Sequence, residues 1–321
     1  MRAPIRTSTL AGLLALAVVA GACSTSDDAS SRSTTTEAAT TEPATTAPAS
    51  TAVPTLTEGT TIGGDRPVEV VVPAGYDPTV PAPVLLLLHG YGVDGTIQNA
   101  YLRLGPAADA AGMLLVHPDG TEDARGNRYW NATDACCAPD EGAPDDVAYL
   151  TGLLDEVAER YNVDPKRVYL VGHSNGGFMS FRMACDVADR IAAIATIAGA
   201  TFDDPAGCRP SEPVAVLAIH GEEDETIRFD GGTNGGDRYP SADQTAAAWA
   251  DANGCSAEAR PLPEGRTIVV DVPEAEVSVH DDCDPGGWVE RWTQPEGVHI
   301  PAFTDDIGEQ LIEFLEAHPK P

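Results

Sequence analysis

"RVYLVGHSNGGFMSFRMA", Arg167 to Ala184, decides how this chain is read. Its opening residues are strand-like, and from Asn175 onward the pattern turns helical. Between the two, Gly172, Ser174 and Gly176 form a G-x-S-x-G. A serine held between glycines at a strand-to-helix corner is a nucleophile elbow. Side chains at Gly172 or Gly176 would crowd the turn that strains Ser174 and lifts its hydroxyl above the sheet edge, at the helix N-terminus.

The flanking sequence supplies the sheet. "RPVEVVVP", "APVLLLLHG", "GMLLVHP", "IAAIATIAG", "PVAVLAIHG" and "GWVERWTQ" are strand-like, separated by helical or mixed stretches. "DDVAYLTGLLDEVAERY" reads as a helix that Asp145 or Asp146 caps, and "FTDDIGEQLIEFLEAH" as the terminal helix. "APVLLLLHG" is almost wholly apolar, as expected of a strand covered on both faces. Repeated alternation predicts an α/β fold with a mostly parallel central sheet and helices on both faces. Its ligands belong beyond the carboxyl ends of the strands.

A serine hydroxyl is a weak nucleophile until a base takes its proton, so the chain must also supply a histidine held by a carboxylate. In the α/β-hydrolase order the acid follows the serine and the histidine comes last. "HGEEDETI" offers Glu222, Glu223, Asp224 and Glu225 after a predicted strand, and Asp224 is the expected acid. His280 and His299 are the remaining candidate bases. His299 is expected, because it lies in a loop between the last strand and the terminal helix, whereas His280 reads as a surface turn near a disulfide. The backbone N–H of Asn175 and that of Tyr91, in "LLLLHGYG", are the expected oxyanion donors. Trp130, His173 and Ile300 are candidate substrate contacts. "HDDCD" at His280 and the acids around Asp224 have no spacing that fixes a metal ligand set, so no metal is expected.

Charge and cysteines locate the protein. Fifty acids against nineteen bases, with a net charge of −31, repel phosphate backbones and anionic lipid heads, so nucleic acid is excluded as a partner. Arg2 and Arg6 precede an apolar run, Leu10 to Ala20, that closes in "AGAC", so residues 1–22 read as an export signal. Cutting after Ala22 either frees a plain secreted chain or leaves Cys23 lipidated. Seven cysteines are odd for a secreted protein, and a lipid on Cys23 leaves six. The expectation is a membrane-anchored extracellular lipoprotein, a disordered Thr/Ser/Pro/Ala tether over 23–58 and a catalytic domain over 59–321. Cys255 is expected to pair with Cys283, and Cys136 and Cys137 with Cys185 and Cys208.

"LHGYG", "DACC", "DDVAYL", "RVYLVGHSNGGFM", "IHGEEDETI" and the loop at His299 together resemble the secreted esterase family of polyhydroxybutyrate depolymerases and feruloyl esterases. The resemblance spans about Arg66 to Pro319 and implies an α/β-hydrolase fold, ester hydrolysis, no cofactor, and a Ser174, Asp224 and His299 triad. Family members often carry H-x-W-P at the histidine, where this chain has His299, Ile300 and Pro301, and no polymer-binding module follows the terminal helix. Both departures favour small or oligomeric esters, such as feruloyl, acetyl or hydroxyalkanoate esters, over polyester. A polyester depolymerase is the alternative, followed by a peptidase or acyltransferase on the same fold. A monomer is expected.

Overall fold

The computed structural model describes residues 60–137 and 142–321. The export signal, Cys23 and the tether lie outside the described residues. Ten strands form one sheet in the order Thr61–Ile62, Val68–Val71, Leu114–Val116, Ala82–Leu88, Val163–His173, Ala193–Ile197, Ala215–Gly221, Trp288–Gln294, Glu276–His280, Arg260–Pro261. The six strands from Leu114–Val116 to Trp288–Gln294 are parallel, and the two at each edge join through antiparallel pairings. His280 ends the strand second from the sheet edge and is buried, which corrects its reading as a surface turn. Its ring Nδ1 and the Ser256 carbonyl are 2.8 Å apart.

The four leucines of "APVLLLLHG" show why a central strand needs no polar face. Side chains alternate across a sheet. Leu86 and Leu88 enter one core with Leu150, Val157, Phe178 and Trp249, while Leu85 and Leu87 enter the other with Leu102, Leu104, Ile307 and Leu311. The helices Asp146–Arg160, Asn175–Asp186 and Ala242–Ala252 therefore cover one face. Gly95–Leu102, Leu104–Ala110 and Ile307–Glu316 cover the other. Asp145 caps Asp146–Arg160 by accepting the Ala148 N–H at 3.0 Å. Asp146 instead turns inward, fully buried, 2.7 Å from the Arg66 guanidinium.

The cysteine pairing follows expectation at Cys255 and Cys283 and departs from it at the other four cysteines. Cys136 is bonded to Cys137, Cys185 to Cys208, and Cys255 to Cys283. Cys185 closes the helix that Ser174 starts, and Cys208 follows the short turn Pro205–Gly207, which brings their Cα atoms to 5.1 Å. That separation suits a disulfide. Cys136 is tied down elsewhere, by a backbone bridge to Thr133 and a contact with the Asn175 amide, so neither neighbour of the pair is free to reach Cys185 or Cys208.

Candidate active site

The strand Val163–His173 and the helix Asn175–Asp186 meet at Ser174, whose φ of 54° and ψ of −118° lie where side chains are rarely found. Room for this corner comes from its glycines. A Cβ on Gly172 would collide with the Gly176 carbonyl, and one on Gly176 with the Leu88 carbonyl. The Ser174 N–H donates to the Ile197 carbonyl at 2.8 Å, so the corner is anchored to the next strand.

His299 stands between the serine and an acid. Its Nε2 is 3.0 Å from Ser174 Oγ, and its Nδ1 is 2.7 Å from Asp224 Oδ2. The Asp224 side chain is fully buried, and its Oδ1 accepts the N–H groups of Thr226 at 2.8 Å and Ile227 at 2.9 Å. Burial pushes this carboxyl up, but the His299 hydrogen bond and charge, with the two N–H donors, more than offset it. Asp224 therefore sits below the usual carboxylate range and is ionised at neutral pH. An ionised Asp224 holds the proton on His299 Nδ1, which leaves the Nε2 lone pair facing the serine hydroxyl. His220 is also near, with Nε2 3.6 Å from Asp224 Oδ2. Burial lowers its pKa, so it is neutral, and its Nε2–H donates to the Ile227 carbonyl at 2.7 Å.

Two loops leave adjacent parallel strands to bring the acid and the histidine together. The Glu222 N–H donates to the Gln294 carbonyl at 3.1 Å, and the Glu223 N–H to the Gly297 carbonyl at 3.0 Å. Such an approach needs glycine on both sides: a Cβ on Gly297 would lie 2.8 Å from Gly221 Cα. Beyond His299 the loop is clamped by two donors. The Tyr101 hydroxyl donates to the Pro301 carbonyl at 2.8 Å, and His173 Nε2–H to the His299 carbonyl at 3.0 Å.

The remaining sequence candidates separate. The N–H groups of Tyr91 and Asn175 lie in the turn after Ala82–Leu88 and at the first turn after Ser174, and neither has a backbone partner among the described residues. Ile300 is 67% exposed. With Val298 and His299 it borders an open cavity of about 1080 Å³, whose rim carries Glu222, Glu223, Glu225 and Asp230. Trp130 is not a substrate contact: its side chain is fully buried, because its indole N–H and backbone are used inside the fold. His173 is likewise buried, and desolvation with the nearby His299 holds its pKa at about 4, so it stays neutral as a donor to the loop. Tyr101 had no motif to mark it, and His89 stood in LHGYG with no role assigned to it. The E-G-V-H run at His299 was visible, and its Gly297 was the available signal for a close loop approach. Among the described residues, no group of three His, Cys, Asp or Glu side chains is placed to hold a metal ion.

The family model described as "Putative esterase" matches residues 59–258, a span that contains Ser174 and Asp224. The chain belongs to this esterase family. It is 36% identical over 152 residues to "Putative esterase NocK" of Nocardia uniformis subsp. tsuyamanensis, covering 46% of this chain and 42% of that protein. Against feruloyl esterase B of Piromyces equi the identity is 29% over 245 residues, covering 73% of this chain and 42% of the relative. The chain thus spans less than half the length of these two relatives. Among solved structures, the acetyl xylan esterase from Aspergillus awamori superposes with a TM-score of 0.58 at 13% identity, covering 80% of this chain and 98% of that one. This likeness establishes the α/β-hydrolase fold for the esterase-family chain.

Proposed function

We propose that this chain is a serine carboxylic ester hydrolase that works through an acyl-enzyme on small or oligomeric esters, feruloyl and acetyl esters first. The observation that carries the reading is the continuous contact from Ser174 Oγ through His299 to Asp224 at 3.0 and 2.7 Å. Membership of the esterase family and the similarity to feruloyl esterase B add to it.

His299 Nε2 takes the proton of Ser174 as Oγ attacks the ester carbonyl carbon. Negative charge on the carbonyl oxygen is met by the N–H groups of Tyr91 and Asn175. His299 then gives its proton to the departing alcohol, leaving the acyl group on Ser174. Water enters, His299 takes its proton, and the attack releases the free acid and restores the serine. No step uses a cofactor.

Turnover of p-nitrophenyl acetate, methyl ferulate, acetylated xylan, and oligomeric and polymeric hydroxybutyrate, with matched amides and acceptor alcohols, tests the reading. Hydrolysis of the first three, lost in Ser174→Ala, is expected. Preference for polymeric hydroxybutyrate over its oligomers selects the depolymerase instead, preference for amides or acceptor alcohols selects a peptidase or acyltransferase, and no ester turnover overturns the proposal.

Export of a lipoprotein anchored at Cys23 is part of this proposal. The AGAC site, the odd seventh cysteine and the three disulfides support it. Cys23→Ser is expected to release an active enzyme into the medium. Wild-type protein found free, with an unmodified Cys23 thiol at its N-terminus, replaces anchoring with plain secretion.

A further inference from the structure

We propose that Trp130 is a positioning residue that ties both oxyanion-donor segments to one buried residue, one through its indole and the other through its backbone, an inference that rests on the ester hydrolase reading. Tyr91 and Asn175 sit on separate segments, one after the strand Ala82–Leu88 and one after Ser174. Trp130 bonds to both segments. Its Nε1–H donates to the His89 carbonyl at 3.1 Å. Its backbone N–H donates to Asn175 Oδ1 at 2.7 Å, and its carbonyl accepts Asn175 Nδ2–H at 2.9 Å. The Asn175 amide thereby pairs with Trp130 as a second backbone strand would.

The Tyr91 side is held in two stages. Gly120 N–H donates to His89 Nε2 at 2.8 Å, so the proton of this buried ring sits on Nδ1, which donates to the Gly90 carbonyl at 2.8 Å. Burial lowers the pKa of His89 and keeps the ring neutral. The Gly90 carbonyl and the Tyr91 N–H belong to one planar trans peptide and point in opposite directions. Fixing the carbonyl therefore aims the N–H. The indole N–H fixes the preceding carbonyl, of His89, and tilts against the same ring with centroids 5.0 Å apart. Nothing else among the described residues bonds to both donor segments, which gives a fully buried tryptophan a catalytic consequence without substrate contact.

Trp130→Phe keeps one aromatic ring but removes the donor to His89 together with part of the buried indole packing. Since one oxyanion donor is worth about 10²–10³ in kcat, mis-aiming one is expected to cost kcat roughly tenfold or more, with KM within about twofold. An arylboronic acid, which forms a tetrahedral adduct on the serine, is expected to bind more weakly by the same factor. Installing β-(3-benzothienyl)alanine at position 130, which replaces the N–H by sulfur in the same shape, separates the lost hydrogen bond from lost packing and is expected to reproduce the kcat loss with a smaller change in Tm. Wild-type turnover tests the hydrolase reading, whereas the ratio of variant to wild type tests Trp130. An unchanged kcat in the benzothienyl variant overturns the inference, as does a raised KM with kcat intact, which would return Trp130 to the substrate.

Discussion

Replacing Asp224 by asparagine isolates the tautomer of His299 from its position. Asp224 Oδ1 accepts two backbone N–H groups, from Thr226 and Ile227, while Oδ2 accepts His299 Nδ1–H. Asparagine can keep only one of these arrangements. With its carbonyl oxygen on the two N–H groups, the amide NH2 faces His299 Nδ1 across 2.7 Å, donor against donor. Flipping the amide restores that bond but strands two buried N–H groups, at about 1–3 kcal/mol each. The cheaper response is for His299 to move its proton to Nε2, 3.0 Å from Ser174 Oγ. There it can no longer accept the serine proton. The expected loss is about 10⁴ in kcat, or about 5.4 kcal/mol of barrier, the size known for this exchange in a serine protease. Initial rates on p-nitrophenyl acetate, with thermal melting as a control, measure it. KM is expected to hold, because ground-state contacts are untouched. A variant that melts like wild type and keeps a tenth or more of its kcat refutes the reasoning.

Ser174→Gly removes the side chain from a backbone held at φ 54° and is expected to stabilise the fold by about 1 kcal/mol while abolishing turnover; a melting temperature below that of Ser174→Ala contradicts this. His173 has a folded pKa of about 4, below the ordinary histidine value of 6.5. The unfolded chain therefore binds the extra proton between those two values, and stability falls as pH drops through that window, by on the order of 3 kcal/mol. Denaturant titrations across the window are expected to show a steeper loss for wild type than for His173→Gln, and equal slopes remove the assignment. Cys185→Ser opens a loop with a sequence separation of 23 and is expected to cost about 3 kcal/mol, and non-reducing peptide mapping of the wild type should join Cys185 to Cys208.

The elements of the site nearest the elbow were legible because local chemistry writes them into short stretches. A strand, G-x-S-x-G and a helix pattern are contiguous, and an apolar run as short as Ala82–Leu88, set between Pro81 and Gly90, fits a strand covered on both faces. The acid and base candidates followed from chain order and from lying after strands. Which atoms meet was not legible. Ser174 and His299 are 125 residues apart and Asp224 and His299 are 75 apart, and only the parallel pairing of Ala215–Gly221 with Trp288–Gln294 sets their loops side by side. Trp130 was a candidate substrate contact because an aromatic near a cysteine pair has no burial written into it. Its inward face is decided by His89 and Asn175, which lie 41 and 45 residues away. The cysteine pairs show the same division. The composition predicted a bridged, exported protein, but a disulfide depends on where Cα atoms end up. The helix from Ser174 and the turn Pro205–Gly207 carry Cys185 to Cys208, a meeting that sequence spacing does not encode.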